Sequence, residues 1–158
     1  MPDLENVIEG RGVRVSMAPA ASRYSLRARE AAVLERVAGL ALPVAIGETR
    51  GGVMRLGPDE WYARLPADAA LAEGEGEPVS VVDVSSRSVG MIIEGPRATA
   101  LLMAGCPLDL ETFAVGRATR TVFELVEIIV WREDVDRFDV DVWRSFAPWL
   151  WGALAAAA

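Results

Sequence analysis

Histidine is absent from this chain of 158 residues, and cysteine occurs once, at Cys106. Histidine is the most frequent general acid or base and the commonest metal ligand in proteins. Its absence, together with a single thiol, excludes Ser-His-Asp triads, Cys-His pairs and ordinary zinc sites within these residues. Any chemistry in this chain would have to use carboxylates, arginine, tyrosine or Cys106.

Lysine and glutamine are also absent, so all 16 basic residues are arginine, against 23 acidic residues and a net charge of -7. This acidic surplus opposes the counterion release on which binding to nucleic acid or anionic membranes usually depends, so neither partner is predicted. One cysteine precludes an internal disulfide, and the first ten residues lack an apolar stretch resembling a secretory signal. We therefore expect a cytoplasmic protein.

The chain is 52% hydrophobic and long enough to bury a substantial core. Residues 1–20 mix glycine, proline and charge without a clear period, which predicts an N-terminal arm over the surface or over a neighbour. Residues 21–158 are predicted to form a single α+β domain of two halves, 21–73 and 79–158. The acidic Gly/Pro segment EGEGEP joins the two halves.

Both halves show the element order β-α-β-β-α. The predicted elements of the first half are an extended stretch at 24–28, a helix at 29–37, a hairpin of VMRL and WYARL, and a short helix at 67–72. Those of the second half are strands at 79–85 and 88–94, a helix at 96–104, a β segment at 118–131, a strand at 137–142 and a closing helix. This order predicts two ferredoxin-like units in pseudo-repeat, with helices covering antiparallel sheet.

Two isolated side chains are candidates for chemistry. Cys106 follows a helix C-terminus, where the local dipole does not favour a thiolate, so we interpret it as a small buried residue rather than a nucleophile. Asp83 lies in the apolar strand VVDVS, where a carboxylate needs hydrogen bonds, and the turn amides of residues 85–87 are the expected donors. A ligand-binding role for Asp83 is the alternative.

Charged and glycine-rich motifs are weaker candidates. The acidic run EDVDRFDVD (133–141) lacks the glycine and terminal glutamate of an EF-hand, which favours a hairpin turn followed by a solvated strand face. Gly10-Arg11-Gly12 and Gly74-Glu75-Gly76 lack the third glycine and the helix of a nucleotide loop. Four arginines suit bidentate carboxylate binding, although a solvated role is more common. They are Arg87, Arg97, Arg117 and Arg120.

The closing segment WRSFAPWLWGALAAAA is the most informative feature of the sequence. On a helical wheel Phe146, Leu150, Ala153 and Leu154 share one face, whereas Trp149 and Trp151 lie on its opposite flanks. A helix that is apolar around most of its circumference is buried on more than one side, and a second protein surface would supply the further burial. The predicted partner interface comprises Trp143, Arg144, Phe146, Trp149, Leu150, Trp151 and Leu154. For Trp143 alone, burial in the chain's own core is the simpler interpretation.

Several of these motifs resemble a known family. The segments DVSSR, GPRATALLMAGCPLDL, RTVFELVEIIVWR and FDVDVWRSFAPWLWGAL resemble the gamma subunit of heterotetrameric sarcosine oxidase, and LGPDEW adds a weaker similarity upstream. The resemblance implies a fold similar to that of the folate-binding aminomethyltransferases. It also implies a flavin-dependent complex in which the alpha, beta and delta subunits, and not the gamma subunit, hold FAD, FMN, NAD, tetrahydrofolate and zinc.

The expected function is therefore that of a non-catalytic structural gamma subunit, with no cofactor of its own and with the alpha subunit as its chief partner. The substrate of the complex would be sarcosine or a related N-methyl amino acid. The alternatives are a free-standing folate-binding protein similar to the aminomethyltransferases, and a homodimer that uses the closing helix as a self-complementary patch.

Overall fold

The computed structural model describes residues 7–158. These residues form two compact units: residues 20–86 form the first, and residues 7–19 with 87–158 form the second. The elements in chain order are β1 (Ile8–Gly10), β2 (Val13–Met17), β3 (Ala21–Ala28), α1 (Ala31–Ala38), β4 (Thr49–Arg50), β5 (Val53–Gly57), β6 (Glu60–Pro66), β7 (Val79–Asp83), β8 (Ser88–Glu94), α2 (Ala98–Met103), β9 (Ala118–Phe123), β10 (Val126–Asp134), β11 (Arg137–Trp143) and α3 (Ala147–Ala157).

The first unit is an antiparallel sheet with the strand order β4-β5-β6-β3-β7 and one helix, α1. Leu34 and Ala38, four positions apart on α1, are the buried residues of that helix and join the core of the unit. Gly39 ends the helix in the left-handed conformation and its N–H donates to the carbonyl of Glu35 at 2.9 Å. Trp61 is fully buried, and its indole N–H donates to the carbonyl of Pro43 at 3.1 Å.

The second unit is an antiparallel sheet with the strand order β1-β2-β8-β11-β10-β9 and two helices, α2 and α3. Alternate residues of the central strands face its core, because side chains on a strand point to opposite faces. The core is built from these positions on β8, β10 and β11 together with Leu101 and Leu102 of α2 and Leu150 and Leu154 of α3.

The two sheets have the same internal order. The series β4-β5-β6-β3-β7 of the first unit corresponds to β9-β10-β11-β8-β2 of the second, so each unit contains a strand, a helix and a three-strand meander. One added strand, β7, follows this repeat in the first unit, whereas two added strands, β1 and β2, precede it in the second. The α+β class and the two-unit organisation are thus confirmed, although the repeating order is β-α-β-β-β.

An ion pair occupies the same place in both repeats with its charges exchanged. Arg27 on β3 faces Glu60 on β6, with 3.4 Å between the charged groups, whereas Glu94 on β8 faces Arg137 on β11 at 3.6 Å. Each pair lies at the end of two paired strands, next to the turn of the β5–β6 hairpin in the first unit and next to the turn of the β10–β11 hairpin in the second. The equivalence of the repeats therefore extends to individual side chains.

Two parts of the chain differ from the sequence-based expectation because strands pair with distant partners. The strand expected to open the second half, β7, instead pairs with β3 of the first unit, since the corresponding edge of β8 is occupied by β2. Within the predicted N-terminal arm, the described residues form the β1–β2 hairpin at one edge of the second sheet. Residues 1–6 of that arm lie outside the described residues.

Two local assignments also differ. The short helix predicted over 67–72 is a turn in which Asp68 has a positive φ of 67°, a conformation that no α-helix contains. The continuous β segment predicted over 118–131 is two strands, since the chain reverses at Glu124, where φ is 50°. The hairpin of β5 and β6 and the strand β8 lie where the sequence pattern placed them.

Candidate functional site

The closing hairpin presents an aromatic residue at the end of its last strand. Along β11, Phe138, Val140 and Val142 are fully buried in the core of the second unit. Trp143 is the next residue and points to the opposite side of the strand, where 45% of its surface is exposed. The interpretation of Trp143 as a core residue is therefore wrong, because the strand alternation that buries Val142 turns Trp143 outward.

The closing helix α3 is held by one apolar stripe. Ala147, Leu150 and Leu154 are buried at spacings of three and four residues, and Trp151 is partly buried against the same core. On the other side, Trp149 is 42% exposed and Phe146 is 45% exposed. Phe146 was expected to share the buried stripe, but it is the N-cap of the helix and lies before the helical turns begin.

The exposed side chains of Phe146 and Arg87 contact the ring of Trp143. The rings of Trp143 and Phe146 are stacked, with centroids 6.3 Å apart and planes inclined by 29°, and the guanidinium of Arg87 lies 5.1 Å from the centroid of the Trp143 ring. The backbone N–H of Arg144 donates to the carbonyl of Arg87 at 2.7 Å, which joins the two segments. We call Arg87, Trp143, Arg144, Phe146 and Trp149 the aromatic face.

Of the seven residues predicted as an interface, the structure exposes Trp143, Arg144, Phe146 and Trp149. It buries Leu150 and Leu154 in the core of the chain, and Trp151 only partly. Their contact with a partner stays a prediction. The sequence reasoning missed Arg87 as a member of the aromatic face, and the signal that places it there is the pairing of its neighbour Ser88 with Trp143 across β8 and β11.

Cys106 and Asp83 have structural roles. Cys106 is buried and its sulfur lies 3.7 Å from the hydroxyl of Thr121, as expected for a small core residue. Asp83 is exposed at the end of β7, and its carboxylate accepts the backbone N–H of Ser85 at 2.8 Å, so the prediction of a turn amide as donor is confirmed. Hydrogen bonds from the side chain and then the backbone of Ser85 lower the pKa of Asp83.

Replacement of Ser85 by alanine is expected to raise the pKa of Asp83 toward its ordinary value. A lowered carboxyl pKa stabilises the fold above the pKa of the unfolded chain, and that contribution is lost as the pH falls through the folded pKa. The free energy of unfolding of S85A should therefore decrease less on acidification than that of the unaltered chain. NMR titration of the Asp83 carboxyl carbon measures the shift. Ser80→Ala, on the exposed side of the same strand, is the control, and an unchanged Asp83 pKa in S85A would contradict the assignment.

The acidic run does not form the solvated strand face that the sequence predicted. Asp139 and Asp141 are only 2% and 5% exposed, and the Nε of Arg137 lies 3.6 Å from the Asp139 carboxylate. In the turn, the Asp134 carboxylate accepts the backbone N–H of Val135 at 2.7 Å. Among the described residues, no three or more Cys, Asp or Glu side chains are grouped so as to hold a metal ion.

The four candidate arginines have separate surroundings. Arg87 lies over Trp143, Arg97 donates to the Arg11 carbonyl at 3.4 Å, and Arg120 pairs with Glu127 at 3.4 Å. Arg117 is exposed, directly before β9. Gly12 of the first glycine motif has a φ of 79° in the turn between β1 and β2, which accounts for that motif by turn geometry.

Within residues 7–158, no helix has the length and apolar character needed to span a membrane.

Comparison with a protein-family model and with curated proteins indicates the same family. The model of the sarcosine oxidase, gamma subunit family matches residues 23–158. Curated relatives include sarcosine oxidase subunit gamma from Arthrobacter sp., 36% identical over 64% of this chain and 56% of that protein, and its counterpart from Corynebacterium sp. (strain U-96), 34% identical over 64% and 55%. The chain thus spans about half the length of these curated relatives.

Two solved structures are similar to this fold. A chain of the heterotetrameric sarcosine oxidase from Corynebacterium sp. U-96 has a TM-score of 0.85, with 28% identity over 96% of this chain and 86% of that chain. Glycine cleavage system aminomethyltransferase T from Bartonella henselae has a TM-score of 0.67, with 14% identity over 91% of this chain and 45% of that chain, which shows a shared fold. The expected similarity to the aminomethyltransferase fold is confirmed, and the extent of the family match establishes that the chain belongs to the sarcosine oxidase, gamma subunit family.

Proposed function

We propose that this chain is the non-catalytic structural gamma subunit of a heterotetrameric oxidase that acts on sarcosine or a related N-methyl amino acid. Membership of the family and the similarity to a chain of a heterotetrameric sarcosine oxidase support this proposal. The reaction of the complex would be an oxidative demethylation, with the one-carbon unit passed to tetrahydrofolate. FAD, FMN, NAD, tetrahydrofolate and zinc would all belong to the partner subunits. The lack of histidine supports a role outside the chemistry.

The aromatic face is the observation that carries the structural role. Trp143 and Phe146 stack on each other, and Trp149 is exposed near the start of a helix whose other side is already buried in the core. Exposed tryptophans grouped with arginine are typical of protein interfaces, whereas isolated exposed side chains are ordinary surface. We propose that this face packs chiefly against the large alpha subunit, in a reducing compartment such as the cytoplasm.

Purification of the tagged chain from its native cell tests the assignment. A complex with the alpha, beta and delta subunits, identified by mass spectrometry and showing a flavin absorption spectrum, is the expected result. A chain that is recovered alone, without these subunits or a visible chromophore, would refute the assignment.

The free-standing folate-binding function makes a different prediction. It requires a carboxylate placed to hold a pterin, and Asp83, the candidate from the sequence, has an exposed carboxylate that accepts the amide of Ser85. Titration of the isolated chain with tetrahydrofolate in a calorimeter separates the two functions. We expect no heat of binding, whereas saturable binding that Asp83→Asn abolishes would favour the alternative.

Replacement of Trp149 by serine is expected to weaken assembly without unfolding the chain. The side chain is already 42% exposed, so the free energy of unfolding should fall by less than about 1 kcal/mol, whereas loss of an interface tryptophan costs about 2 kcal/mol or more of binding, roughly 30-fold in Kd. Leu125→Ser is the matched control, because Leu125 is 93% exposed in the β9–β10 turn. Equal affinities of W149S, L125S and the unaltered chain for the other subunits would contradict the proposed interface.

A further inference from the structure

β7 is an edge strand of the first sheet, and one of its two sides is open. It pairs with β3 through residues 79–83 without a shift in register, and within residues 7–158 no strand pairs with its other side. Val81 lies in the core of the unit, whereas Ser80 and Val82 are exposed on the opposite face. Edge strands commonly carry lysine, proline or a bulge, which prevents pairing with a further strand. The segment VSVVD contains none of these, so its edge is regular.

The backbone of β7 presents hydrogen-bonding groups on its open side. The N–H of Val84 donates to the carbonyl of Arg23 at 2.8 Å, so the N–H groups of residues 80 and 82 also point toward β3. The N–H and C=O groups of Val81 and Asp83 therefore point away from the sheet. Neither of these two N–H groups donates to an acceptor in the part of the chain that the structure describes.

The second unit shows what the equivalent edge of the repeat binds. In that unit β2 takes the place of β7, since it pairs with β8 as β7 pairs with β3. The other side of β2 pairs with β1, which runs antiparallel to it through residues 8–10. An added antiparallel strand therefore fits this edge of the repeat.

We propose that β7 pairs with β7 of a second copy of this chain as an antiparallel strand, which joins the two first-unit sheets into one continuous sheet. The two-fold axis passes beside Val81, so that Val81 lies opposite Val81 of the second copy and Asp83 lies opposite Val79 of the second copy. The outward groups of Val81 then exchange two hydrogen bonds between the copies. This inference uses residues of the first unit alone and does not depend on the oxidase assignment.

The charged groups at the start of β7 include one cation without a counterion. The charged side chains that line the surface depression beside Val79 are Arg27, Arg29, Asp59 and Glu77. Arg27 pairs with Asp59 at 3.4 Å, and Glu77 pairs with Arg36 at 3.0 Å. Arg29 is exposed, and its guanidinium has no ion pair or hydrogen bond with any other of residues 7–158. A carboxylate from outside the chain would therefore find a partner at Arg29.

Asp83 supplies that carboxylate from the other end of β7. In the proposed register Asp83 of each copy lies opposite Val79 of the other, and thus beside Arg29. Asp83 is exposed, and a carboxylate that accepts the N–H of Ser85 still has lone pairs for a guanidinium. A two-fold axis at Val82 would instead make the two Asp83 side chains diagonal neighbours, which is destabilising for like charges. Charge therefore favours a second copy as the occupant and selects the register.

The expected dimer is weak. One pair of five-residue strands buries less than the roughly 1,200 Å² of a standard stable interface, so the two copies should exchange readily. Sedimentation of the full chain over about a hundredfold range of concentration measures this, because mass action raises the dimer fraction.

Replacement of Val81 by proline tests the strand pairing. Proline is tolerated in an edge strand where its missing N–H points outward, and V81P removes one interstrand hydrogen bond at each of the two equivalent positions. We expect the dimer Kd to rise roughly 30-fold. Val81→Ala is the matched control, because it shortens the same side chain but keeps the N–H, and its Kd should stay within about threefold of that of the unaltered chain. Circular dichroism establishes that both variants are folded.

Exchange of the two charges tests the register. R29E and D83R should each raise the Kd about fivefold, because exposed ion pairs are individually weak and two are lost per dimer. The double variant R29E/D83R restores opposite charges and should return the Kd toward that of the unaltered chain. Loss of the hydrogen bond to Ser85 is common to D83R and the double variant, so it cannot account for the recovery. R117E, in the second unit, is the control and should dimerise like the unaltered chain.

Hydrogen exchange measured by NMR locates the contact in the unaltered chain. The amides of Val81 and Asp83 should become protected only at the concentrations at which the dimer forms, whereas those of Ser80 and Val82, which face β3, should be protected throughout. This measurement does not depend on the folding of any variant.

Three results would overturn the inference. The chain could remain a monomer at every concentration, with the Val81 and Asp83 amides unprotected. It could form a dimer that W149S abolishes and V81P leaves intact, which would assign the contact to the closing helix. Protection of the Val81 and Asp83 amides only in the presence of other subunits would make a partner subunit, and not a second copy, the occupant of the edge.

Discussion

Replacement of Arg132 by alanine is expected to lower the free energy of unfolding of the second unit by about 3 kcal/mol. The guanidinium of Arg132 donates to the backbone carbonyls of Leu110 at 3.0 Å, Phe113 at 2.7 Å and Val135 at 2.6 Å. It also lies 5.0 Å from the centroid of the buried Phe138 ring. One side chain thus holds the loop after α2, the β10–β11 turn and a core aromatic together.

The expected size follows from the number of carbonyls that lose a donor. Hydrogen bonds to a charged group contribute about 1.5–3 kcal/mol each when both partners are removed from water, and less where water replaces the donor. The loop and the turn are partly solvated, so we expect about 1 kcal/mol for each of the three hydrogen bonds, or about 3 kcal/mol in total. Arg132→Lys should recover less than half of the loss, because a single ammonium cannot reproduce the planar fork of donors.

Urea unfolding followed by circular dichroism, together with hydrogen exchange of the 110–116 loop, measures this effect. Arg120→Ala is the matched control, because Arg120 lies on the neighbouring strand β9 and its ion pair with Glu127 joins exposed groups, which contributes little to stability. If R132A and R120A had the same unfolding free energy, the carbonyl contacts would not contribute to stability.

The first unit contains the same arrangement. The guanidinium of Arg55 donates to the carbonyls of Val44 and, at 2.6 Å, Pro58, and lies 4.8 Å from the centroid of the Trp61 ring. The strand register shifts next to both arginines, at Arg55/Gly57 and at Arg132/Asp134. In both units an arginine beside a register shift thus binds the loop after the helix and the turn of the hairpin.

Much of the fold was predictable because its signals are local. The sequence pattern predicts strand β8 at residues 88–94, and the spacing of apolar residues with the terminal glycine predicts the helix before Gly39, as the structure shows. The partner of β7 was not predictable in the same way, since Val79–Asp83 carries an ordinary strand pattern that fits either sheet. β7 pairs with β3 because β2 occupies the equivalent edge of β8, and β2 is far from β7 in the sequence, so the local pattern cannot indicate this pairing.

The candidate site was predictable in its composition but not in its detailed exposure. Counting helical positions correctly grouped Leu150 and Leu154 on one face, but it also placed Phe146 there because the helical wheel assumed a helix that continues through the N-cap. Strand alternation correctly separated Asp139 and Asp141 from the core residues beside them. The alternation could not show that both aspartates are buried, because it indicates on which side of the sheet a side chain lies but not whether other residues cover that side.

Replacement of Gly52 by alanine is expected to have the second large effect, about 4 kcal/mol in the first unit. Gly52 has a φ of +81°, and a Cβ added there would lie 2.4 Å from the carbonyl oxygen of Arg64, a backbone atom that no rotamer change can move. The carbonyl of Gly52 also accepts the N–H of Arg64 at 2.8 Å. Relief of the clash would therefore separate β5 from β6, the hairpin that carries Trp61 into the core.

Gly51 supplies a control at the adjacent position, since it also has a positive φ, +55°, but a Cβ there meets nothing within 4 Å. Gly51→Ala should cost only the backbone strain of a left-handed alanine, about 1 kcal/mol. The difference between the two variants, measured by urea unfolding with hydrogen exchange of peptides from residues 53–66, isolates the close approach of the two strands from conformational strain. Similar losses in G51A and G52A would mean that backbone conformation alone, and not the contact with Arg64, requires glycine at this turn. Because Arg64 pairs through its other edge with Arg23 on β3, we expect the loss of exchange protection in G52A to extend from β6 to β3.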